Sequence, residues 1–134
     1  MPLIKWTDNY SINIKEMDEQ HKKLVGIIND IWEAKQIDKD FEVLEKTFTD
    51  LIEYIEFHFG NEERLLEQHN YDYFDVHRLE HKIIIEEISN LHKKYCSGNN
   101  IVAEMVHFLS SWLTGHILDK DKKYAVFLNS KGVK

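Results

Sequence analysis

Apolar residues recur at alternating steps of three and four along four stretches of the chain, the spacing that lines one face of an α-helix. The first stretch, from about Ile14 to Lys35, carries Met17, His21, Leu24, Ile28 and Ile31 on its seam. Asn13 is its expected N-cap, with Glu16 placed to reach back to the cap's free N–H. The second, from about Asp40 to Gln68, presents Leu44, Phe48, Leu51, Ile55, His58, Glu62 and Leu65. A turn around His69, Asn70 and Tyr71 leads to the third seam, Phe74, His77, His81, Ile84, Ile88, Leu91 and Tyr95. Ser97, Gly98, Asn99 and Asn100 combine a glycine helix stop with turn formers. A fourth helix is then expected from near Ile101, with Val102, Met105, Leu109, Trp112 and His116 on its seam.

Four helices with short connections predict an all-α, up-down-up-down four-helix bundle. It spans about residues 13–120 of a single domain covering 1–134, between an N-terminal arm and a short C-terminal tail or helix starting near Lys120. Trp6 and Tyr10 are expected to pack the arm onto the bundle.

The seams hold an anomaly. His21, His58, Glu62, His77, His81 and His116 occupy positions that should be apolar. A buried imidazole or carboxylate without a partner costs several kcal/mol, and six together would exceed the roughly 5 to 15 kcal/mol stability of a typical domain. Metal ions satisfy such groups, because neutral imidazoles and ionised carboxylates are ligands. The i,i+4 spacings of His58/Glu62 and His77/His81 put each pair on one face. Five imidazoles with two or three carboxylates exceed the needs of one tetrahedral zinc, so two ions fit better. Glu62 is the first candidate for a bridge. The second is Asp119 or Asp121: Asp119 shares the face of His116 in a regular helix, whereas Asp121 needs a local π-type turn or a helix end. His69, His92 and His107 lie outside these pairs and read as solvated rather than as ligands, and Glu63, turned about 100° from Glu62, reads as a surface carboxylate available for an ion pair and not as a bridge.

Composition narrows the class without changing this picture. A net charge of -7 argues against a nucleic-acid partner and against an anionic membrane surface. A single proline and five glycines leave long stretches free to be helical. Cys96, the only cysteine, cannot form an intramolecular disulfide, and the opening MPLIKWTDNY lacks the basic and apolar regions of a signal peptide. No window approaches the roughly 18 apolar residues of a membrane span. A cytoplasmic location is expected.

In these residues the chain resembles the hemerythrin family, its bacterial members in particular. The family pattern is a lone histidine, then H-x3-E, H-x3-H and H-x4-D on successive helices. Here it reads DEQH ending at His21, HFGNE from His58 to Glu62, HRLEH from His77 to His81, and HILDKD from His116 to Asp121. The resemblance selects Asp121 over Asp119. It implies two iron ions, one held by His77, His81 and His116 and the other by His21 and His58. Glu62, Asp121 and an oxo or hydroxo group would bridge them. It further implies an open position on the two-histidine iron where dioxygen binds and is held as hydroperoxide, with Leu24, Phe59, Trp112, Leu113 and Ile117 as an apolar pocket.

The function expected on this basis is reversible dioxygen binding, as carrier, store or supplier to an oxygen-consuming enzyme, by a monomer that is not itself an enzyme. Oxygen or redox sensing through a separate partner, and a di-iron oxidase or peroxide-consuming enzyme, are the alternatives. The i,i+3 Glu-x-x-His pairs of oxidation-type di-iron bundles do not occur at these seams.

Overall fold

The computed structural model describes residues 3–36, 41–98 and 102–134, the side chains of residues 35–36 and 41–44 excepted. The expected seam residue Leu44, the break residues Asn99 and Asn100 and the helix start near Ile101 lie outside them. Four long helices run α1 (Lys15–Gln36), α2 (Phe41–Gln68), α3 (Phe74–Cys96) and α4 (Val102–His116), followed by a π-helical turn (Ile117–Asp121) and a fifth helix, α5 (Lys122–Ser130). α1 packs against α2 and α4, and α3 against α2 and α4, which closes the expected bundle. Among the described residues no helix is long and apolar enough to cross a membrane.

The seams bury as the periodicity requires. Met17, Leu24, Ile28, Ile31, Phe48, Leu51, Ile55, Ile88, Leu91, Met105 and Leu109 are all 5% exposed or less. At the end of the second seam Leu66 rather than Leu65 is fully buried, because Leu66 completes the i,i+4 step from Glu62. α2 closes in a Schellman motif: Asn70 adopts the left-handed conformation (φ 56°), and the Tyr71 and Asn70 amides bond the Leu66 and Glu67 carbonyls. Gly98, with φ 94°, takes the corresponding place after α3.

The start of α1 differs from the expected cap. Asn13 has φ 62° and stands outside the helix, while the Ile14 carbonyl accepts the first helical bond from Asp18 at 2.9 Å. The Asp18 carboxylate instead gathers the arm, accepting from Ser11 Oγ (2.6 Å) and the Ile12 amide (2.9 Å). Farther out, Asn29 exchanges two hydrogen bonds with the Ile4 backbone at 2.8–2.9 Å. The arm thus packs on the bundle, with Ile4, Ile12 and Ile14 in the core and Trp6 and Tyr10 against it. α5 folds back likewise, burying Tyr124, Ala125 and Leu128, so the tail is a structural helix.

Candidate metal centre

Antiparallel packing brings the N-terminal turns of α1 and α3 to the same end of the bundle as the C-terminal turns of α2 and α4. Each polar seam residue sits in one of those turns: His21 in α1, His58 and Glu62 in α2, His77 and His81 in α3, and His116 in α4. Asp121 joins them through the π turn. Its following amide, Lys122 N–H, bonds Ile117 O five residues back, and the wider turn carries Asp121 round to the face of His116. Asp121 is 1% exposed, whereas the Asp119 side chain is 80% exposed, so the structure resolves the choice that spacing left open.

The residues fall into two overlapping groups whose ligand atoms lie within 4.8 Å of one another: Glu62, His77, His81 and His116; and His21, His58, Glu62 and Asp121. Glu62 belongs to both. Its Oε1 lies 3.3 Å from His81 Nε2 and 3.4 Å from His58 Nε2, and its Oε2 is 3.8 Å from His21 Nε2. Asp121 spans the same gap, with Oδ2 3.1 Å from His21 Nε2 and Oδ1 3.1 Å from His116 Nε2. Both carboxylates therefore face imidazoles of the three-histidine and two-histidine groups at once.

Side chains behind the rings orient them. Gln20 Oε1 lies 2.5 Å from His58 Nδ1, and Glu63 Oε2 lies 3.3 Å from His81 Nδ1. An acceptor there holds the proton on Nδ1 and turns the Nε2 lone pair inward, as metal-ligating histidines require. Glu63, 24% exposed, thus forms the expected ion pair, and its partner is a histidine of the cluster. Tyr124 of α5, fully enclosed, donates its hydroxyl to Glu62 Oε2. Burial and the neighbouring Glu62 carboxylate push that phenol well above its ordinary value, so it stays a neutral donor. Sequence reasoning missed Gln20 and Tyr124; the only signal was their adjacency to ligand positions, Gln20 beside His21 and Tyr124 one turn after Asp121. Phe59 stacks on His81 with centroids 3.6 Å apart, and Trp112 stacks on His116 at 5.2 Å. Leu24, Leu113 and Ile117 are buried within the same core.

Electrostatics sets the buried groups of the site against one another. Burial disfavours charge on His21, yet the Asp121 and Glu62 carboxylates beside it raise it from 6.5 to about 9. His81 is likewise raised to about 9, burial being outweighed by Glu62 and Glu63. His58 goes the other way, lowered to about 4 chiefly by burial. Burial would raise Glu62, but His58, His21, His77 and His81 hold it well below the carboxylate range. Among the described residues six buried side-chain atoms have no hydrogen-bond partner: both nitrogens of His21, Glu62 Oε1, His77 Nε2 and both oxygens of Asp121. Four of these residues are thereby left with inward-facing lone pairs or donors unmatched, the condition that cations resolve.

Access is asymmetric. A groove of about 390 Å³, lined in part by Ile83, Ile84, Trp112 and Gly115, reaches His116, which is 8% exposed. His21 and His58, at 0% and 1%, are sealed.

Comparison with known proteins agrees with this geometry. The Hemerythrin HHE cation binding domain family matches residues 13–128. The chain is 30% identical to a bacteriohemerythrin of Pseudomonas aeruginosa over 92% of its own length and 80% of the relative's. It is 31% identical to one of Clostridium acetobutylicum over 89% and 96%. Among solved structures, wild-type hemerythrin superposes with a TM-score of 0.86 at 27% identity, covering 92% of this chain and 95% of that one. With a family match over residues 13–128 and a bundle that gathers histidines and carboxylates at one end, the chain belongs to the hemerythrin family.

Proposed function

We propose that this protein binds dioxygen reversibly at a di-iron site, with His77, His81 and His116 holding one iron, His21 and His58 the other, and Glu62 and Asp121 bridging. The observation that carries the reading is the pair of overlapping ligand groups sharing Glu62, with unmatched buried atoms of His21, Glu62, His77 and Asp121 among their members. Two iron ions would supply the electrons and the open coordination position that reversible oxygen binding needs.

The chain's own residues do the rest. Gln20 and Glu63 hold the His58 and His81 rings with Nε2 inward, and Tyr124 anchors Glu62 through Oε2 while leaving Oε1 facing the imidazoles. The sealed His21 and His58 side is the side that would keep an oxygen ligand dry, which suppresses the protonation and water entry that convert a carrier into an oxidised, inert protein. Leu24, Phe59, Leu113 and Ile117, all 2% exposed or less, supply the apolar packing for that enclosure, and Trp112 stacks on His116 at the groove. Mostly imidazole ligation gives less anionic donation than carboxylate-rich sites, which favours holding oxygen over activating it. The protein is therefore read as a binding protein rather than an enzyme, acting as a monomer that carries, stores or supplies oxygen to an oxygen-consuming partner.

The test is the optical spectrum of the iron-loaded protein, reduced under argon, exposed to air and returned to argon over several cycles. A visible charge-transfer band that comes with air and goes under argon establishes carriage. A permanent oxidised spectrum after the first exposure rules it out and leaves sensing or oxidase activity.

A further inference from the structure

At the opposite end of the bundle, Glu45 of α2 meets His92 and Cys96 of α3. The two α3 residues are one turn apart, so both face α2. His92 Nε2 lies 2.9 Å from Glu45 Oε2, Cys96 Sγ lies 3.2 Å from the same oxygen, and Sγ to Nε2 is 3.6 Å. This cluster lies eleven residues beyond His81 on α3, about 16 Å along the axis, and shares no residue with the iron site.

The three distances have a specific meaning. Zinc bonds of about 2.0–2.1 Å to nitrogen and oxygen and about 2.3 Å to thiolate, set at tetrahedral angles, place N and O about 3.3 Å apart and S about 3.6 Å from each. Of the observed edges, 3.6 Å equals that of the tetrahedron, while 2.9 and 3.2 Å are the slightly shorter lengths of hydrogen bonds to Glu45, so small side-chain shifts would complete the face. The His92 ring is held by an edge contact with Phe48, itself fully buried, at 6.3 Å between centroids. The Glu45 and His92 side chains are 32% and 21% exposed and Cys96 is exposed, which leaves room for water as a fourth ligand. We propose that Glu45, His92 and Cys96 form a second, independent metal site of the zinc class.

The donor set selects the ion. Thiolate excludes calcium and magnesium, and the mixture of sulfur, nitrogen and oxygen suits zinc. The Glu45 carboxylate raises the thiol and so keeps it protonated while they face each other alone. A dication between them reverses that balance: the S–H bond breaks, the metal–sulfur bond forms, and one proton leaves to solvent. Occupied, the site would clip α2 to α3 at the end of the bundle away from the iron.

Cobalt(II) is the probe, added to the iron-loaded, thiol-reduced full chain, because cobalt–thiolate bonding gives a near-ultraviolet charge-transfer band. One cobalt per chain beyond the iron, with that band and its displacement by zinc, is expected. C96S removes the band, and H92Q and E45Q each weaken binding by roughly 10- to 100-fold or more, the scale on which even outer-shell contacts of metal sites act. All three variants keep the iron content and the iron spectrum. Absence of a thiolate band overturns the proposal, as does a band whose affinity is unchanged in both H92Q and E45Q, since that marks a cysteine taking cobalt unaided.

Discussion

The two ends of this bundle are built from the same four helices and differ in what completes them. At one end Ile31, Phe48, Leu51, Ile88, Leu91 and Met105 fill the seam with carbon, and among the described residues no buried side-chain polar atom there lacks a partner. At the other, the same seam positions carry His21, His58, Glu62, His77, His81 and His116, with Asp121 added by the π turn, and six buried atoms lack partners. The apolar end is self-sufficient, because burial of carbon needs no counterpart. On the proposed reading a cation finishes the polar end, and its stability then depends on composition outside the chain.

The largest effect expected from this contrast is that of chelation. Stripping iron should lower unfolding stability by about 4 kcal/mol or more, the linkage contribution of a ligand present at a thousandfold excess over its dissociation constant. Hydrogen exchange should localise the loss to the polar end. An unchanged denaturant midpoint would show that end to be self-sufficient too. Phe48→Ala should cost about 3–5 kcal/mol and do so equally with and without iron, because its cavity lies in carbon. His77→Leu should have opposite signs in the two states. It should weaken iron binding by about 100-fold, read as iron retained per chain, yet stabilise the stripped protein by about 1–3 kcal/mol by removing an unmatched nitrogen.

The stripped protein also answers to pH. His21 and His81, raised from 6.5 to about 9, contribute stability that is complete below 6.5 and is lost as pH rises through 9. His58, lowered from 6.5 to about 4, contributes stability that is lost as pH falls from 6.5 toward 4. The denaturant midpoint of the iron-free protein should therefore peak near 6.5 and decline on both sides. Iron loading at neutral pH should release protons, and apparent affinity should climb toward pH 9. The smallest effect belongs to Tyr124→Phe. It frees Glu62 Oε2 at a cost of about 1 kcal/mol, with faster loss of the oxygen-bound spectrum as the functional readout.

Legibility in the sequence followed the same divide. The four seams could be read because burial of a helix face imposes its period on residue type, and the histidines stood out by violating it at Met17–Ile31 and its three counterparts. The element ends were less legible. Asn13 looked like a cap but takes a left-handed conformation, because Asp18, one turn inside the helix, ties down the arm through Ser11 and Ile12. Gln20 was invisible, and the histidine partner of Glu63 unreadable, because each is one step off a seam and only the approach of a neighbouring helix supplies its contact. His92 read as solvated for the same reason: its partner, Glu45, is 47 positions away.

Taken alone, the sequence determined the helix count, the buried faces and the set of groups competing for one core, because these depend on local periodicity and on the cost of burying polar atoms. Helical spacing left open which aspartate faces that core, a choice made only by the H-x4-D resemblance, and nothing in the sequence showed that the tail returns a tyrosine to Glu62. Those were decided in three dimensions. A single π turn after His116 changes the angular position of everything beyond it, and that rotation carries Asp121 in, turns Asp119 out and sets α5 against the site.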